Sequence, residues 1–454
     1  VKTVRLSHRI TIDPTTDQVA YFSRACGTAR FVWNLALEEW ERRFASASKA
    51  AKDASVEAKD RNYSKSKVRR YVTAAVEAVG GWPNANALKA EFNAQKYEAF
   101  PWLKGIHRDA HAQPFANLQK AHARCLNGLA RRPRFKKKGH HDSFYVANDC
   151  LTLNGSNIRL PLIGWVRMHE PLRFQGKIIS ATVSRTADRW FISIAVEAHD
   201  PRPTKLKADK TPRRSASITP IKDRRPVVGV DLGLLHAAVA SAGVVHDAPK
   251  PLKASLKKLR RLQRSQSRRL KVSGLKNRSS NWRKNNVKVA RLHARIARIR
   301  LDFIHKLTTD LCRENQAVVI EDLNVNGMIS NRRLSRAISD VGWGETRRQL
   351  EYKKDIYGTQ LVVADRWLPS TKTCSRCGVI GPSLPLSERT FRCASCGLEI
   401  DRDLNAAINL EHYPGLQGNR RLWTGRIGSA MRVGEQPSLV EAGTAKAGSS
   451  PLNS

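Results

Sequence analysis

The chain has 454 residues, 41% of them hydrophobic: long enough for two or three domains with cores of their own, and too apolar for a disordered chain. Its formal net charge of +42 excludes a fold indifferent to partners, because so large an excess repels itself unless a polyanion neutralises it, and nucleic acid is the polyanion indicated. No apolar run reaches the roughly 18 residues that span a bilayer, and residues 1–6 lack a basic segment leading into an apolar one, so the expected compartment is the cytoplasm, with the nucleoid when DNA is bound.

Residues 3–12 alternate Val4, Leu6, His8, Ile10 and Ile12 with polar residues and predict a strand, ended by Asp13-Pro14. A helical region follows from Thr16, with Phe22, Cys26, Ala29, Phe31 and Trp33 as its apolar side. Residues 46–80, rich in Ala, Lys and Ser, read as exposed helix or an insertion. Residues 84–130 read as further helices broken at Pro101 and Pro114. Arg131 to Lys138 is a basic run that offers Arg134, Lys136, Lys137 and Lys138 to phosphates. Strand-type stretches follow at Ser143–Val146, Ile158–Leu162, Ile178–Val183 and Trp190–Val196, which with residues 3–12 predict a small β-barrel. Residues 201–225 are rich in Pro, Lys and Thr and read as a linker.

From Pro226 the pattern changes. Val227–Val230, Ala317–Ile320 and Leu361–Ala364 are uninterrupted apolar runs typical of buried strands, and helical patterns lie between them, so this part is predicted to be an α/β domain. Residues 251–300 contain 18 Lys or Arg and no Asp or Glu. A run with no acidic partner needs external anions, so Lys257, Lys258, Arg261, Arg264, Arg268, Arg269, Arg283, Lys284 and Arg291 are candidate phosphate contacts. Leu292, Ile296, Ile299, Phe303, Leu307 and Leu311 give the second of these helices one apolar face. His236, His293 and His305 have no metal-like spacing. Residues 413–454 are rich in Gly, Ser and Pro and read as a disordered tail.

Three acids stand out by their context. Asp231 closes the first buried strand, Glu321 closes the second, and Asp403 lies at the start of a helix ending near Leu410. Carboxylates at neighbouring strand ends and a helix start can meet at one point. Such hard oxygen ligands suit Mg²⁺ or Mn²⁺, two of which can activate water and stabilise a leaving oxygen in phosphodiester cleavage. Asp401 competes with Asp403 for the third place, either being able to cap the helix, and Asp322 competes weakly with Glu321.

Of the eight cysteines, Cys26, Cys125, Cys150 and Cys312 are scattered. Cys374, Cys377, Cys393 and Cys396 form C-x2-C-x15-C-x2-C, each pair followed by glycine (Gly378, Gly397), which predicts a closed structural Zn²⁺ site between the third strand and Asp403.

Taken in order, these motifs make the chain resemble the TnpB family, transposon-encoded relatives of compact type V CRISPR effectors. The resemblance covers most of residues 1–412. It rests on Ala25-Cys-Gly-Thr-Ala-Arg-Phe-Val-Trp-Asn34, Pro133-Arg-Phe-Lys136 with Ser143-Phe144, Gly229-Val-Asp-Leu-Gly-Leu234, Lys288-Val-Ala-Arg-Leu-His293, Glu321-Asp-Leu-Asn-Val325, the cysteine pairs, and Asp401-Arg-Asp-Leu-Asn-Ala-Ala407. It implies a multidomain α/β protein. A wedge strand (1–13), a helical recognition lobe (14–130) and a wedge split β-barrel (131–200) would precede the linker (201–225). An RNase H-like RuvC nuclease (226–370 and 399–412) would follow, interrupted by a four-cysteine zinc finger (371–398), with the tail (413–454) after it. The resemblance further implies a guide RNA, double- and single-stranded target DNA, a short target-adjacent motif, catalysis by Asp231, Glu321 and Asp403, and a transposase encoded nearby. Sequence choice would then lie in RNA–DNA pairing, with the protein holding the duplex by its backbone. Residues 46–80 and the tail have no clear counterpart in a minimal member. The alternatives are a compact CRISPR effector, a guided DNA-binding repressor without cleavage, and a transposase that joins strands itself, although no Tyr with a His-hydrophobe-His pair is present for the last.

Overall fold

The computed structural model describes residues 3–199, 205–206, 212–213, 223–273, 278–385 and 387–413. Most of the expected linker, and the tail beyond 413, lie outside the described residues.

The N-terminal half is a strand, a set of helices and a sheet that takes the strand back. After β1 (Val4–Asp13), Pro14 ends the strand and Thr15 starts a helix. The Thr15 side chain accepts from the Gln18 backbone while the Gln18 side chain accepts from the Thr15 N–H, a reciprocal cap. The resulting α1 (Thr16–Asp60) runs on through the first part of the 46–80 stretch, and α2 (Lys65–Ala78) and α3 (Ala85–Ala99) follow. The expected break at Pro101 is a single 3₁₀ turn, but that at Pro114 is absent. Pro114 sits buried inside α4 (Arg108–Leu126), where packing against the helical core outweighs one lost backbone bond.

Next come β2 (Ser143–Ala147), β3 (Thr152–Asn154), β4 (Asn157–Leu160), β5 (Gly164–Met168), β6 (Lys177–Thr186) and β7 (Arg189–Ala198). They form a seven-stranded sheet in the order β2-β6-β7-β1-β5-β4-β3, with β1 held between two strands far along the chain. The strand expected to reach Leu162 stops at Leu160, since Leu162 takes a positive φ in the turn to β5. The strands β3 and β5 carried no separate sequence signal. Phe22, Ile10, Ile158, Met168, Ile192 and Ile194 fill the core between the sheet and α1, and a separate core of Val32, Leu37, Leu88, Leu103 and Leu118 joins the helices. A two-strand pair, β8 (Lys205–Leu206) and β9 (Pro212–Arg213), stands apart.

The second sheet runs β12-β11-β10-β13-β14. Its members are β10 (Arg225–Asp231), β11 (Ala238–Ala240), β12 (Val245–His246), β13 (Asn315–Glu321) and β14 (Gln360–Ala364). The strands β10, β13 and β14 are parallel, whereas β11 and β12 return antiparallel in a hairpin. The sheet starts earlier than the linker boundary expected at 225. Arg224 is buried and donates to the backbone oxygens of Cys312 and Tyr357. Between β12 and β13 run α5 (Pro251–Ser273) and α6 (Ser280–Glu314); α7 (Val325–Ile329), α8 (Ser335–Val341) and α9 (Trp343–Tyr357) precede β14. The β15 (Thr390–Arg392)/β16 (Glu399–Asp401) ribbon leads into α10 (Arg402–Glu411).

Both faces of this sheet are covered, which is why its strands read as unbroken apolar runs. Val228, Val230, Val318 and Ile320 pack with Leu307, Leu311, Trp343 and Leu350 on one face; Val227, Ala317 and Val319 meet Leu410 of α10 on the other. The helix α10 comes so close that a Cβ on Gly229 would overlap the Ala407 carbonyl oxygen and the Glu411 amide nitrogen. Both obstacles are backbone, so neither can rotate aside. Gly229→Ala is expected to destabilise the protein by about 1–3 kcal/mol as overpacking does, read as a lower melting temperature, and to weaken whatever α10 positions. Among the described residues no helix is long and apolar enough to cross a membrane.

Candidate active site and nucleic-acid surface

The register Val230↔Ile320 sets Asp231 and Glu321 at the carboxyl ends of adjacent parallel strands, the edge of an α/β sheet where ligand sites form. The third acid comes from the other face. Asp401 ends β16 and caps α10, its carboxylate accepting from the N–H groups of Asp403 and Leu404 at 3.0 and 2.9 Å. Asp401 is therefore engaged as a cap, and the helix begun there carries Asp403 in its first turn. Asp322 is likewise engaged, paired with Arg347 and with Arg366 at 2.5 Å each, which holds its carboxyl below the usual range.

Asp231 is 9% exposed. Burial first, then the charges of Glu321 and Asp403, push its carboxyl up to about 8, and only Arg402 pulls the other way. The cluster is thus a set of acids with too little positive charge of its own, the electrostatics that a hard dication relieves. Glu321 accepts from the Ser370 hydroxyl at 2.6 Å, and Arg389 lies 3.8 Å from Asp403. Among the described residues, sets of three or more ligand atoms within 4.8 Å of one another are the four clustered cysteines and His107–Asp109–Cys150. Asp231, Glu321 and Asp403 do not form such a set.

The four cysteine sulfurs do converge. Cys374 Sγ–Cys396 Sγ and Cys377 Sγ–Cys393 Sγ are each 3.6 Å apart, too long for disulfides and close to the edge of about 3.8 Å expected for a tetrahedron of thiolates at 2.3 Å from one ion. This four-cysteine unit is fastened to α10. Asn405, wholly buried, accepts from the Ser375 N–H at 3.0 Å and donates to the Thr373 carbonyl at 2.8 Å. Asn409 donates to the carbonyls of Ser370 and Thr373, at 2.7 Å each. One chain of contacts thus links the cysteines, the helix bearing Asp403, and Ser370 on Glu321. Sequence reasoning missed Ser370, Arg389, Asn405 and Asn409 as parts of this site, although Arg389 lies inside the span of the cysteine pairs, Ser370 shortly before it, and Asn405 within the Asp401–Ala407 motif.

The basic residues fall on two surfaces. On α5 and α6, Lys257, Lys258, Arg261, Arg264, Arg268, Arg269, Arg283, Lys284 and Arg291 are exposed, but not all are free. Arg269 donates to the Asn281 carbonyl, and Arg291 pairs with Asp188 at the β6–β7 turn, tying α6 to the first sheet. Beside that tie lies a cleft of about 460 Å³ walled by Arg9, Arg189, Arg291, Arg295 and Arg298, with Asp188 its one acid. Arg9 and Arg189 gave no sequence signal because they alternate with core residues along strands. Arg134, Lys136, Lys137 and Lys138 are also exposed. Their segment is docked on α1: Trp33 donates to the Arg134 carbonyl, Asn34 brackets the Lys136 backbone, and the Lys136 ammonium sits 3.9 Å over the Trp33 ring.

Comparison with known proteins gives three family profiles and a set of relatives. Residues 193–332 match a profile described as "Probable transposase" (OrfB of IS605), residues 343–410 match "Cas12f1-like, TNB domain", and residues 4–49, which fold here as β1 and the first part of α1, match "Helix-turn-helix domain". The chain is 34% identical over 404 residues to a "Putative RNA-guided DNA endonuclease" of Streptomyces pristinaespiralis, covering 87% of this chain and 86% of that protein. It is 33% identical over 325 residues to "Putative RNA-guided DNA endonuclease InsQ" of Escherichia coli K12, covering 68% of this chain and 75% of the other. Among solved structures, a Cas12f1–sgRNA–target DNA complex aligns over 91% of this chain and all of its own, at 15% identity and a TM-score of 0.31.

Proposed function

We propose, from the premise that the chain belongs to the TnpB (IS605 OrfB) family, that it is an RNA-guided endonuclease that hydrolyses target DNA at Asp231, Glu321 and Asp403. The observation that carries this reading is the conflict at Asp231: a buried carboxyl at a strand end, raised to about 8 by burial and by the other two acids. A fold gains nothing from crowding three carboxylates unless something positive is bound among them.

On this reading the three carboxylates hold Mg²⁺ or Mn²⁺, two ions in all, which when bound supply an activated water and charge for the leaving oxygen. The chain's own residues do the positioning. Ser370 orients Glu321, Asp401 starts the helix that presents Asp403, and Gly229 lets that helix lie against the strand of Asp231. The four-cysteine unit holds structural Zn²⁺ and fixes α10 through Asn405 and Asn409. In the same reading the second sheet with α5, α6, α9 and α10 is the RuvC-like nuclease, the seven-stranded sheet is the wedge, and α1–α4 form the recognition lobe. The arginine cleft and the α5–α6 surface track the phosphates of guide and target, with the strong salt dependence such contacts bring. Action beside a short target-adjacent motif, in the service of a transposon, follows the family. The Cas12f1-like match over residues 343–410 favours one second reading, a compact CRISPR effector. A transposon end beside the gene favours the first, a repeat array the second.

The test is to purify the protein with the RNA it carries, sequence that RNA, and offer a plasmid bearing the matching target beside randomised flanks in Mg²⁺. Cutting confined to matched plasmids with one flanking motif is expected. A protein that binds the matched plasmid and never cuts it is a repressor instead.

A further inference from the structure

We propose that Trp367 is a stacking platform that seats a base of the DNA strand beside the carboxylate site, an inference that rests on the nuclease reading above. Trp367 is 84% exposed, more than any other large aromatic among the described residues. The loop that carries it is nevertheless tightly held. The Asp365 N–H donates to the Tyr413 hydroxyl, and the Trp367 N–H donates to the Asp365 carboxylate at 2.8 Å. Leu368 packs into the core formed by Val227, Val319 and Leu410. On one side of Trp367, Arg366 grips Asp322 at 2.5 Å; on the other, Ser370 donates to Glu321 at 2.6 Å. The loop therefore spans the end of β13, tied to two consecutive acids, one of them the proposed ion ligand.

A large apolar ring held out in water by a rigid loop is costly unless a partner covers it. What the setting favours is a nucleobase. The loop that carries the ring is bonded to Asp322 through Arg366 and to Glu321 through Ser370, in a chain with a net charge of +42 that draws in polyanions. Every base has a face that stacks on an indole whatever its sequence, which suits an enzyme whose sequence choice lies in pairing. Seating one base would fix the sugar-phosphate link next to it relative to Asp231 and Glu321, so Trp367 is a positioning residue rather than a catalytic one.

The experiment is single-turnover cleavage of guide-matched DNA in Mg²⁺ by wild type, Trp367→Ala and Trp367→Phe. Each is given intact target and targets with one abasic nucleotide scanned past the cut. Trp367→Ala is expected to raise the half-saturating DNA concentration about tenfold, within the range of a lost base–aromatic stack, with guide-RNA binding and melting temperature unchanged. Trp367→Phe is expected to recover most of it. One abasic position is expected to cost wild type a similar factor and to cost Trp367→Ala nothing more. Wild-type behaviour in Trp367→Ala, a phenylalanine variant as impaired as the alanine one, or an abasic penalty that persists in full without the ring each overturns the stacking assignment alone. A wild type that cuts nothing overturns the nuclease reading and takes this inference with it.

Discussion

Asp231→Asn is expected to end cleavage, by on the order of 10³-fold or more (about 4 kcal/mol), while making the metal-free protein more stable. The two effects have one cause. The carboxyl is buried against Glu321 and Asp403 and is raised to about 8, whereas an unfolded aspartate titrates near 4. Between those values the folded chain keeps a proton that the unfolded chain releases, so the stability of the metal-free fold falls as pH rises through that window. An amide has the same shape and no charge to crowd. The gain of the variant over wild type in EDTA should be absent near pH 4, grow to about pH 8, and amount to roughly 1–3 kcal/mol, several degrees of melting temperature. Guide-RNA and target binding should be unchanged. A variant that melts below wild type in EDTA at pH 8 would show that the carboxylate supports the fold rather than straining it.

Cys374→Ser is expected to abolish cleavage by a different route. Losing one of four thiolates opens a closed site that contributes to folding directly. Metal analysis should fall from about one zinc per chain to none. The consequence passes along the polar chain: without the four-cysteine unit, Asn405 and Asn409 lose the Thr373 and Ser375 groups they hold, and the start of α10 with Asp403 is released. Limited proteolysis should open new cuts between residues 371 and 400, while the seven-stranded sheet stays protected. The contrast with Asp231→Asn is the point of the pair, since that variant should keep its zinc and its proteolytic pattern. A Cys374→Ser protein that retains zinc and cuts normally would remove the four-cysteine unit from the account.

What could be read in advance follows the range of the forces involved. The strands ending in Asp231 and Glu321 were legible because burial on both faces leaves unbroken apolar runs, and an acid closing such a run is conspicuous. The cysteine pairs were legible because a metal knuckle is local. The different parts of Asp401 and Asp403 were not, since both sit at the helix start and the capping bonds that Asp401 makes leave no mark in the sequence. Strands β3, β5, β11 and β12 escaped because runs of two to five residues show no usable period and exist through pairing with distant chain. Pro114 misled for the same reason: local propensity forbids what a buried helix interface accepts. Arg291 read as one more phosphate contact, yet its guanidinium is spent on Asp188, a partner 103 residues away.

The claim on which the rest depends is that Asp231, Glu321 and Asp403 together bind divalent ions. Its most direct test is titration of Mn²⁺ into chelator-washed protein, followed by electron paramagnetic resonance, for wild type and for Asp231→Asn, Glu321→Gln and Asp403→Asn. The wild type should bind Mn²⁺ above the background set by its RNA, more weakly as pH falls below about 8 because Asp231 must give up its proton, and each single variant should lose that binding. Three variants that bind Mn²⁺ as the wild type does would contradict it.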